Sequence, residues 1–466
     1  MDLHFEDSTF NSLNRFEKML KTDSVFFFDS IEFEEIIAYY IDNGKIALAK
    51  KALDLATHQH PGTLEIKVLK AELLIIENKL NEADELLDEL SFIDPDNEEI
   101  YIQKAQLLSK QDHHELAIDH LLVALDMTDS EFHIDILSML GMEYLFLEKF
   151  NIARDYFKQC IAMDPMDTSF LHNIIYCYDM DNAQLEAIEF LRAYIEINPY
   201  SEIAWHQLGK ENYTLERYQE ALEAFDFAII IDEKFMGAYL EKAKTLEKLH
   251  RYAHAIKWYE LTTKMEDPMS FAYLRMGHCY ARLSDSEKAL ISYHKASELD
   301  PNLEAPILAI IELLYKEHQY HEVLSYANRL INMDDENIKY LKLYGDINMK
   351  NAFFNEAVEV YKKCITLGDD KLDTFLRLAD AYYYLGDYQK AIDVLNDIEK
   401  MYPQHHKISI RLSGLYFLNE NLDKGLEYFK QYIQIKPGNI RLFRQLFPAV
   451  INKKSIQELL NKHQLI

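Results

Sequence analysis

The chain has 466 residues, of which 49% are hydrophobic, so it carries enough apolar material for a large core. Only 12 residues are Gly and 10 are Pro, less than half of the roughly 12% that these two types contribute to an average protein. Hairpin-rich and loop-rich folds need more turn residues, so the composition favours helices joined by short turns. The formal net charge of −30 argues against a general nucleic-acid binder, because phosphates would be repelled.

The charge is unevenly distributed along the chain. Residues 1–150 contain 12 Lys and Arg against 32 Asp and Glu, whereas residues 401–466 contain 10 against 4. A solvated surface that keeps the protein soluble is the ordinary interpretation, and docking of an oppositely charged partner at one end is the alternative. No signal peptide or bilayer-spanning apolar run is recognisable, and the four cysteines show no close pairing. We therefore predict a cytoplasmic protein without membrane insertion, in a reducing compartment.

The first predicted element is an amphipathic helix over residues 8–21. An aromatic segment with Phe26, Phe27 and Phe28 in a row follows it. Residues 1–29 precede a long repetitive region, and an end unit of a repeat array cannot bury both of its faces. We therefore predict that residues 1–29 form an N-terminal cap.

Residues 30–439 repeat with a period of 34. When each unit is aligned on its position 20, ten of twelve residues in that column are Ala, and every step is 34 except the 36 between Ala117 and Ala153. Position 8 is small in most units, position 24 is large and apolar, and position 32 is often Pro. We expect the small residues to let two helices approach closely and the large residue to fill the gap to the next helix. The prolines are expected to end the second helix.

These columns resemble the tetratricopeptide repeat, a 34-residue helix–turn–helix unit with W-x2-L-G-x2-Y, A-x3-F and P positions. The resemblance implies an all-α fold, a right-handed superhelical solenoid of about twelve 34-residue repeats over residues 30–439. It specifies packing rather than function. The two units that match best contribute Trp205, Leu208, Gly209, Ala221, Phe225 and Ala228, then Tyr273, Gly277, Tyr280, Ala289, Tyr293, Ala296 and Pro301.

Two places depart from the repeat. Unit 9, residues 304–337, has Ile311, Val323 and Ala327 at motif positions, and two extra residues fall near 129–133. Each is expected either to mark a bend or to be sequence drift. Residues 440–466 are predicted to form C-terminal capping helices broken at Pro448, and a dimer contact through these terminal helices is the alternative.

No catalytic constellation is recognisable, since a phosphate-binding glycine loop, GxSxG and HExxH are all missing from the sequence. The histidine pairs 58/60, 113/114 and 405/406 are expected to be solvent-exposed, because metal binding needs three or four convergent ligands. Cys160, Cys177, Cys279 and Cys364 are expected to be structural thiols. We therefore predict no catalytic residues, no metal and no cofactor.

Function is then expected on the solenoid surface. In the family that the repeat resembles, the first helices line a concave groove through positions 2, 5, 9, 12 and 13 of each unit. In the middle of this chain those positions are basic and aromatic, whereas units 10 and 11 add Tyr383 and Tyr384 together with Asp346 and Asp380. The candidate partner-binding residues are His172, Tyr176, His206, Lys210, Tyr213, Lys244, Arg275, His278 and Arg282.

A basic and aromatic strip suits an acidic peptide segment or a free C-terminal carboxylate. We therefore predict a non-enzymatic scaffold or adaptor that binds a protein or peptide and no nucleic acid. Ordinary solvated helix residues are the alternative interpretation of the strip. A regulatory subunit that docks an enzyme or complex through the ends of the solenoid is the alternative function.

Overall fold

The computed structural model describes residues 3–22, 26–128, 133–265, 269–436 and 440–462. These residues form 28 helices and contain no strand, so the predicted all-α class is confirmed. The chain divides into two compact units, Met1–Ala238 and Tyr239–Ile466. No helix among the described residues is long and apolar enough to cross a bilayer.

The first unit is built from helices of 13 or 14 residues that follow a longer N-terminal helix. They are α1 (Leu3–Thr22), α2 (Ser30–Asp42), α3 (Ile46–Gln59), α4 (Leu64–Ile76), α5 (Leu80–Ile93), α6 (Glu98–Lys110), α7 (His114–Met127), α8 (His133–Phe146), α9 (Phe150–Met163), α10 (Thr168–Met180), α11 (Gln184–Ile197), α12 (Glu202–Thr214) and α13 (Tyr218–Ile231).

The second unit begins within α14 (Met236–Lys248) and closes with three shorter helices. The helices that follow α14 are α15 (Tyr252–Thr262), α16 (Ser270–Arg282), α17 (Ser286–Leu299), α18 (Glu304–Lys316), α19 (Tyr320–Met333), α20 (Ile338–Lys350), α21 (Phe354–Thr366), α22 (Leu372–Leu385), α23 (Tyr388–Glu399), α24 (His406–Leu418), α25 (Leu422–Ile435), α26 (Ile440–Leu446), α27 (Pro448–Ile451) and α28 (Lys454–Lys462).

Short turns join the helices in pairs, and each turn places one residue in the left-handed region. After α4, the amide of Asn78 donates to the carbonyl of Ile75 over 3.1 Å and the amide of Lys79 donates to Leu74 over 2.9 Å. This is a Schellman motif, which satisfies carbonyl groups that a helix end leaves open. The positive-φ residues recur every 34 residues, apart from a 36-residue step after Asp112, as Asn78, Asp112, Glu148, Asn182, Glu216, His250, Ser284, His318 and Ala352.

In four pairs the two helices meet where an aromatic ring at position 24 lies on a glycine at position 8. A Cβ added to Gly209 would come within 2.4 Å of Cε1 of Phe225, and one on Gly345 within 2.6 Å of Cε1 of Tyr361. The large residue at position 24 therefore packs within its own pair. The prediction that it fills the gap to the next helix was incomplete, because the ring needs the hole that a missing Cβ leaves at position 8.

Helix ends do not depend on the prolines at position 32. Pro61 lies two residues beyond the end of α3 at Gln59, and α13 ends at the equivalent Ile231 although no proline follows it. The prolines thus occupy the connection rather than terminate the helix. Unit 9 also forms an ordinary pair, α18 and α19, in which Ile311 and Ala327 are both buried. In this unit the large residue, Ile311, stands at position 8 and the small residue, Ala327, at position 24.

Both ends of the chain carry apolar side chains that pack on the neighbouring helices. In α1, the ring of Phe16 is buried 6.0 Å from the ring of Phe28 and 6.0 Å from that of Tyr40. At the other end Phe443 packs edge-on against Phe429, with 5.0 Å between the ring centroids. The insertion near 129–133 lies outside the described residues except for its last position.

Candidate functional site

The candidate residues of the first unit lie on two first helices, α10 and α12. His172 and Tyr176 are exposed on α10, and the Nδ1 atom of His172 lies 3.2 Å from Nε2 of Gln207 on α12. Tyr176 contacts the ring of Phe150 edge-on at 6.4 Å. The structure therefore places the first helices α10 and α12 beside each other.

The α12 candidates differ in exposure. Lys210 is exposed, whereas His206 is half-buried between aromatic rings, 5.0 Å from Phe235 and 5.8 Å from Phe225. Tyr213 lies edge-on to Tyr218 at 5.6 Å. His206 is thus held in position by packing, and Lys210 is the candidate of this helix that reaches solvent most fully.

A buried carboxyl group follows Lys210 directly. Glu211 is only 2% exposed. Burial, together with the nearby charge of Asp179, raises the pKa of Glu211 to about 7. Sequence reasoning missed this residue because position 10 is not among the groove positions. The predicted groove in the first unit therefore contains a buried carboxyl group beside its basic and aromatic side chains.

In the second unit, Arg275 is bound to a glutamate of the preceding first helix. Its Nε atom donates to Oε1 of Glu247 over 3.1 Å, and its Nη2 atom forms a second ion pair with Oε2. The hydroxyl of Tyr259 donates to the same Oε1 over 2.6 Å. This two-point pairing fixes the planar guanidinium and satisfies its charge. Arg275 is therefore a structural cation rather than one open to a ligand.

Two further candidates are also engaged within the protein. The Nζ atom of Lys244 lies 2.6 Å from Oε1 of Glu241 and 5.3 Å from the ring centroid of Phe271. His278 is half-buried, with Nδ1 3.0 Å from the hydroxyl of Tyr293. Burial lowers the pKa of His278, and the charge of Arg275 lowers it further. His278 is then neutral at pH 7 and offers a hydrogen bond rather than a charge.

These side chains line a cleft of about 540 Å³. Three of its lining residues, Lys248, Arg282 and Lys316, are exposed cations at the last turns of α14, α16 and α18. Among the described residues no acidic side chain pairs with any of the three. We call this trio the cation row and the whole cavity the basic cleft. Its lining also includes Lys244, Glu247, Arg275, His278, Tyr293 and Glu312.

Sequence reasoning selected Arg282 as a candidate and missed the other two members of the cation row. All three occupy position 13 of their units, one of the groove positions, but neither Lys248 nor Lys316 is among the candidate residues. The signal was nevertheless present in the sequence, because 248, 282 and 316 are separated by 34 residues each. Equal phase in successive repeats predicts equal placement on successive helices.

The acidic groove positions of units 10 and 11 are neutralised internally. Asp380 receives two hydrogen bonds from Arg411, at 2.7 and 2.8 Å. Asp346 accepts from the hydroxyl of Tyr361 over 2.7 Å and pairs with Arg377. These acids are therefore part of the packing between helices.

No group of three or more His, Cys, Asp or Glu residues able to hold a metal occurs within the described ranges. All four cysteines are buried, as predicted, and burial raises the pKa of the Cys177 thiol to about 11. The expectation of exposed histidines was wrong for His114. Its ring is largely buried against Phe146, with Nδ1 2.8 Å from Oε2 of Glu143.

Comparison with known families identifies tetratricopeptide repeats in both units. One model described as "Tetratricopeptide repeat" matches residues 138–202 and 376–440, and another matches residues 272–303. A model described as "Anaphase-promoting complex, cyclosome, subunit 3" matches residues 316–398. The matched segments cover helix pairs that include α16 and α17, where the basic cleft lies.

Individual proteins that resemble this chain share less than a quarter of its residues over the aligned region. The "TPR repeat-containing protein MJ1428" of Methanocaldococcus jannaschii is 23% identical over 389 residues, covering 77% of this chain and 66% of that protein. The "Anaphase-promoting complex subunit 7" of Dictyostelium discoideum is 22% identical over 322 residues, covering 68% and 49%. The chain thus spans less than two thirds of either relative. The crystal structure of yeast Tom70 matches 94% of this chain and 98% of that chain at 15% identity, with a TM-score of 0.34.

Proposed function

We propose that this chain, which belongs to the tetratricopeptide-repeat family, is a non-enzymatic scaffold that binds an acidic protein segment in its basic cleft. Tetratricopeptide-repeat proteins generally act as protein-interaction scaffolds, and the partner here is a protein or peptide rather than a nucleic acid. The proposal includes a cytoplasmic location, which four buried free thiols fit.

The observation that carries the proposal is the cation row. Lys248, Arg282 and Lys316 project from equivalent turns of alternate helices in a protein whose net charge is −30. An isolated exposed cation contributes little, but several that converge on one cleft produce a local positive potential. Carboxylates of an extended segment, or its C-terminal carboxylate, complement such a row.

The remaining lining of the cleft supports recognition of a peptide rather than simple attraction of anions. The half-buried His278 offers its second ring nitrogen, Nε2, between the cations, and the hydroxyl of Tyr293 holds its Nδ1 atom. Glu247 is held by Arg275 and Tyr259, so it does not compete for the row. Only Glu312 adds an exposed carboxylate to the lining. A segment with acids spaced by uncharged residues would satisfy both kinds of group.

Charge reversal of the cation row tests this function. The variant K248E/R282E/K316E is compared with K295E/K362E/K400E, which changes the net charge equally at exposed lysines of the second unit. Binding of a fluorescein-labelled octapeptide with alternating Glu and Ser is followed by anisotropy. We expect at least tenfold weaker binding for the first variant and less than twofold change for the second. Equal loss in both variants would show that only net charge matters.

A second candidate function is that of a complex subunit that docks through an end of the chain. Its support is the exposed pair Lys453 and Lys454 near the C-terminus and the basic balance of residues 401–466. Deletion of residues 440–466 cannot test it, because Phe443 and Phe447 are buried against the preceding helices. The variant K453E/K454E keeps that packing. Loss of acidic-peptide binding in this variant alone would favour end docking.

The same variant addresses self-association through the terminal helices. Sedimentation velocity of the wild-type chain and of K453E/K454E compares their masses in solution. A dimer that becomes a monomer in the variant would assign these lysines to a homo-oligomer contact.

A further inference from the structure

An exposed apolar strip lies on the first unit, away from the first-helix candidates. Its six side chains are between 47% and 83% exposed. All lie in the last two turns of second helices or in the connections that follow them, which are parts of the fold that the groove does not use. We define the apolar strip as Met163, Met166, Ile197, Tyr200, Phe227 and Ile230.

Hydrogen bonds and ring contacts show that successive segments of the strip adjoin. The hydroxyl of Tyr194 on α11 donates to the carbonyl of Pro165 over 2.7 Å, so α11 touches the connection that carries Met166. Ile197 follows Tyr194 by three positions on the same helix. Residues three positions apart share a helix face, so Met166 and Ile197 lie on neighbouring segments.

The next connection is tied to the following pair in a similar way. Nε1 of Trp205 donates to the carbonyl of Pro199 over 3.0 Å, and Tyr200 follows Pro199. The indole of Trp205 stacks on the ring of Phe227, with 4.4 Å between their centroids. Ile230 then follows Phe227 by three positions on α13. The segments that carry the strip therefore adjoin one another from α9 to α13.

Acidic side chains flank the strip. Asp164, Glu196, Glu223 and Glu233 lie on the same segments and are exposed. The basic residues within 163–167, 192–202 and 223–234 are Arg192 and Lys234, so acidic side chains outnumber basic ones around the strip. Soluble proteins seldom expose a contiguous apolar patch of this kind unless it meets a partner. The partner must supply an apolar face bordered by positive charge.

We propose that the apolar strip docks a basic amphipathic helix of another protein, with an apolar face on the strip and Lys or Arg toward its carboxylates. A second copy of this chain does not fit, because the same carboxylates would face each other. An anionic membrane surface is disfavoured for the same reason. This partner is opposite in charge to the acidic segment proposed for the basic cleft, so the two surfaces bind different ligands.

The probe for this surface is a fluorescein-labelled 18-residue peptide of Leu and Lys with its leucines on one helical face. A second peptide of equal composition distributes the leucines around the helix. The variant I197S/Y200S/I230S removes the centre of the strip, and F92S/I291S/M401S removes three exposed apolar side chains elsewhere. We expect the amphipathic peptide to bind at least tenfold better than its isomer, and only the strip variant to lose that advantage.

A variant that removes charges and leaves the apolar residues unchanged distinguishes specific docking from non-specific hydrophobic binding. D164N/E196Q/E223Q is expected to weaken the amphipathic peptide several-fold, and less so at high salt, where charges are screened. Equal binding of both peptides, or unchanged affinity in the strip variant, would overturn the proposal. Self-association of the wild-type chain that the strip variant abolishes would also overturn it, as would strip-dependent binding to phosphatidylserine or phosphatidylcholine vesicles.

Discussion

The ring of Tyr293 occupies the space that Gly277 leaves open, so that a Cβ on Gly277 would lie 2.3 Å from Cε1 of the tyrosine. The same ring carries the hydroxyl that meets Nδ1 of His278 at 3.0 Å. One tyrosine thus closes a helix pair and lines the basic cleft. A change in the packing between Gly277 and Tyr293 is therefore expected to move side chains that line the basic cleft.

Gly277→Ala is expected to destabilise the protein, because the added methyl cannot coexist with the ring in its present place. Overpacking of this kind costs about 1–3 kcal/mol, which denaturant titration can measure. Gly62→Ala is the matched control, since nothing lies within 4 Å of the Cβ that it adds. Equal stability of the two variants would contradict the close contact.

Ala352→Gly is expected to stabilise the protein. Ala352 has φ of 61°, and a left-handed conformation costs an L-residue about 1–2 kcal/mol, part of which glycine loses again through its greater unfolded-state freedom. A net gain of about 0.5–1 kcal/mol should appear as a higher unfolding midpoint. Ala352→Val should lower it, because a β-branched residue tolerates this conformation least. The reverse order would contradict the turn geometry.

Helix pairing and the register of the repeat could be predicted from the sequence, because Ala, Gly and aromatic residues recur at fixed spacing. The left-handed turn residues could not all be predicted, since Glu148, Glu216 and Ala352 are not types that favour positive φ. Tertiary packing imposes that conformation in spite of residue preference. The low glycine content is thus compatible with many left-handed turns.

The site was only partly predictable for a related reason. The repeat positions predict that Arg275 and Arg282 lie on the same helix face. They do not predict that Glu247 binds Arg275 and leaves Arg282 exposed. Side chains 28 residues apart meet only when helices are assembled. Lys316 is not among the sequence candidates, although it occupies groove position 13 of its unit.

Arg275→Lys separates structural cations from ligand-binding ones. A lysine cannot reproduce the two-point contact with Glu247, so we expect a loss of about 1 kcal/mol in stability. Affinity for the acidic octapeptide should change less than twofold, because the charge is retained and is already satisfied. Arg282→Gln should show the opposite pattern, with weaker binding and unchanged stability. Parallel denaturation and anisotropy measurements distinguish them.

Glu211 makes stability depend on pH. Its pKa of about 7 lies above the ordinary 4.5, so the folded state holds the proton more tightly than the unfolded state does. The resulting stabilisation is complete below pH 4.5 and is lost as pH rises to about 7. Glu211→Gln should therefore be more stable than wild type at pH 8, by about 1–3 kcal/mol. The exposed Glu223→Gln should leave the pH dependence unchanged, and a matching change there would contradict this assignment.

Hydrogen–deuterium exchange with and without the acidic octapeptide tests the central claim most directly. Binding in the basic cleft predicts slower exchange at the last turns of α14, α16 and α18, which carry Lys248, Arg282 and Lys316. The variant K248E/R282E/K316E should show no such protection. Protection confined to other helices at saturating peptide would contradict the account.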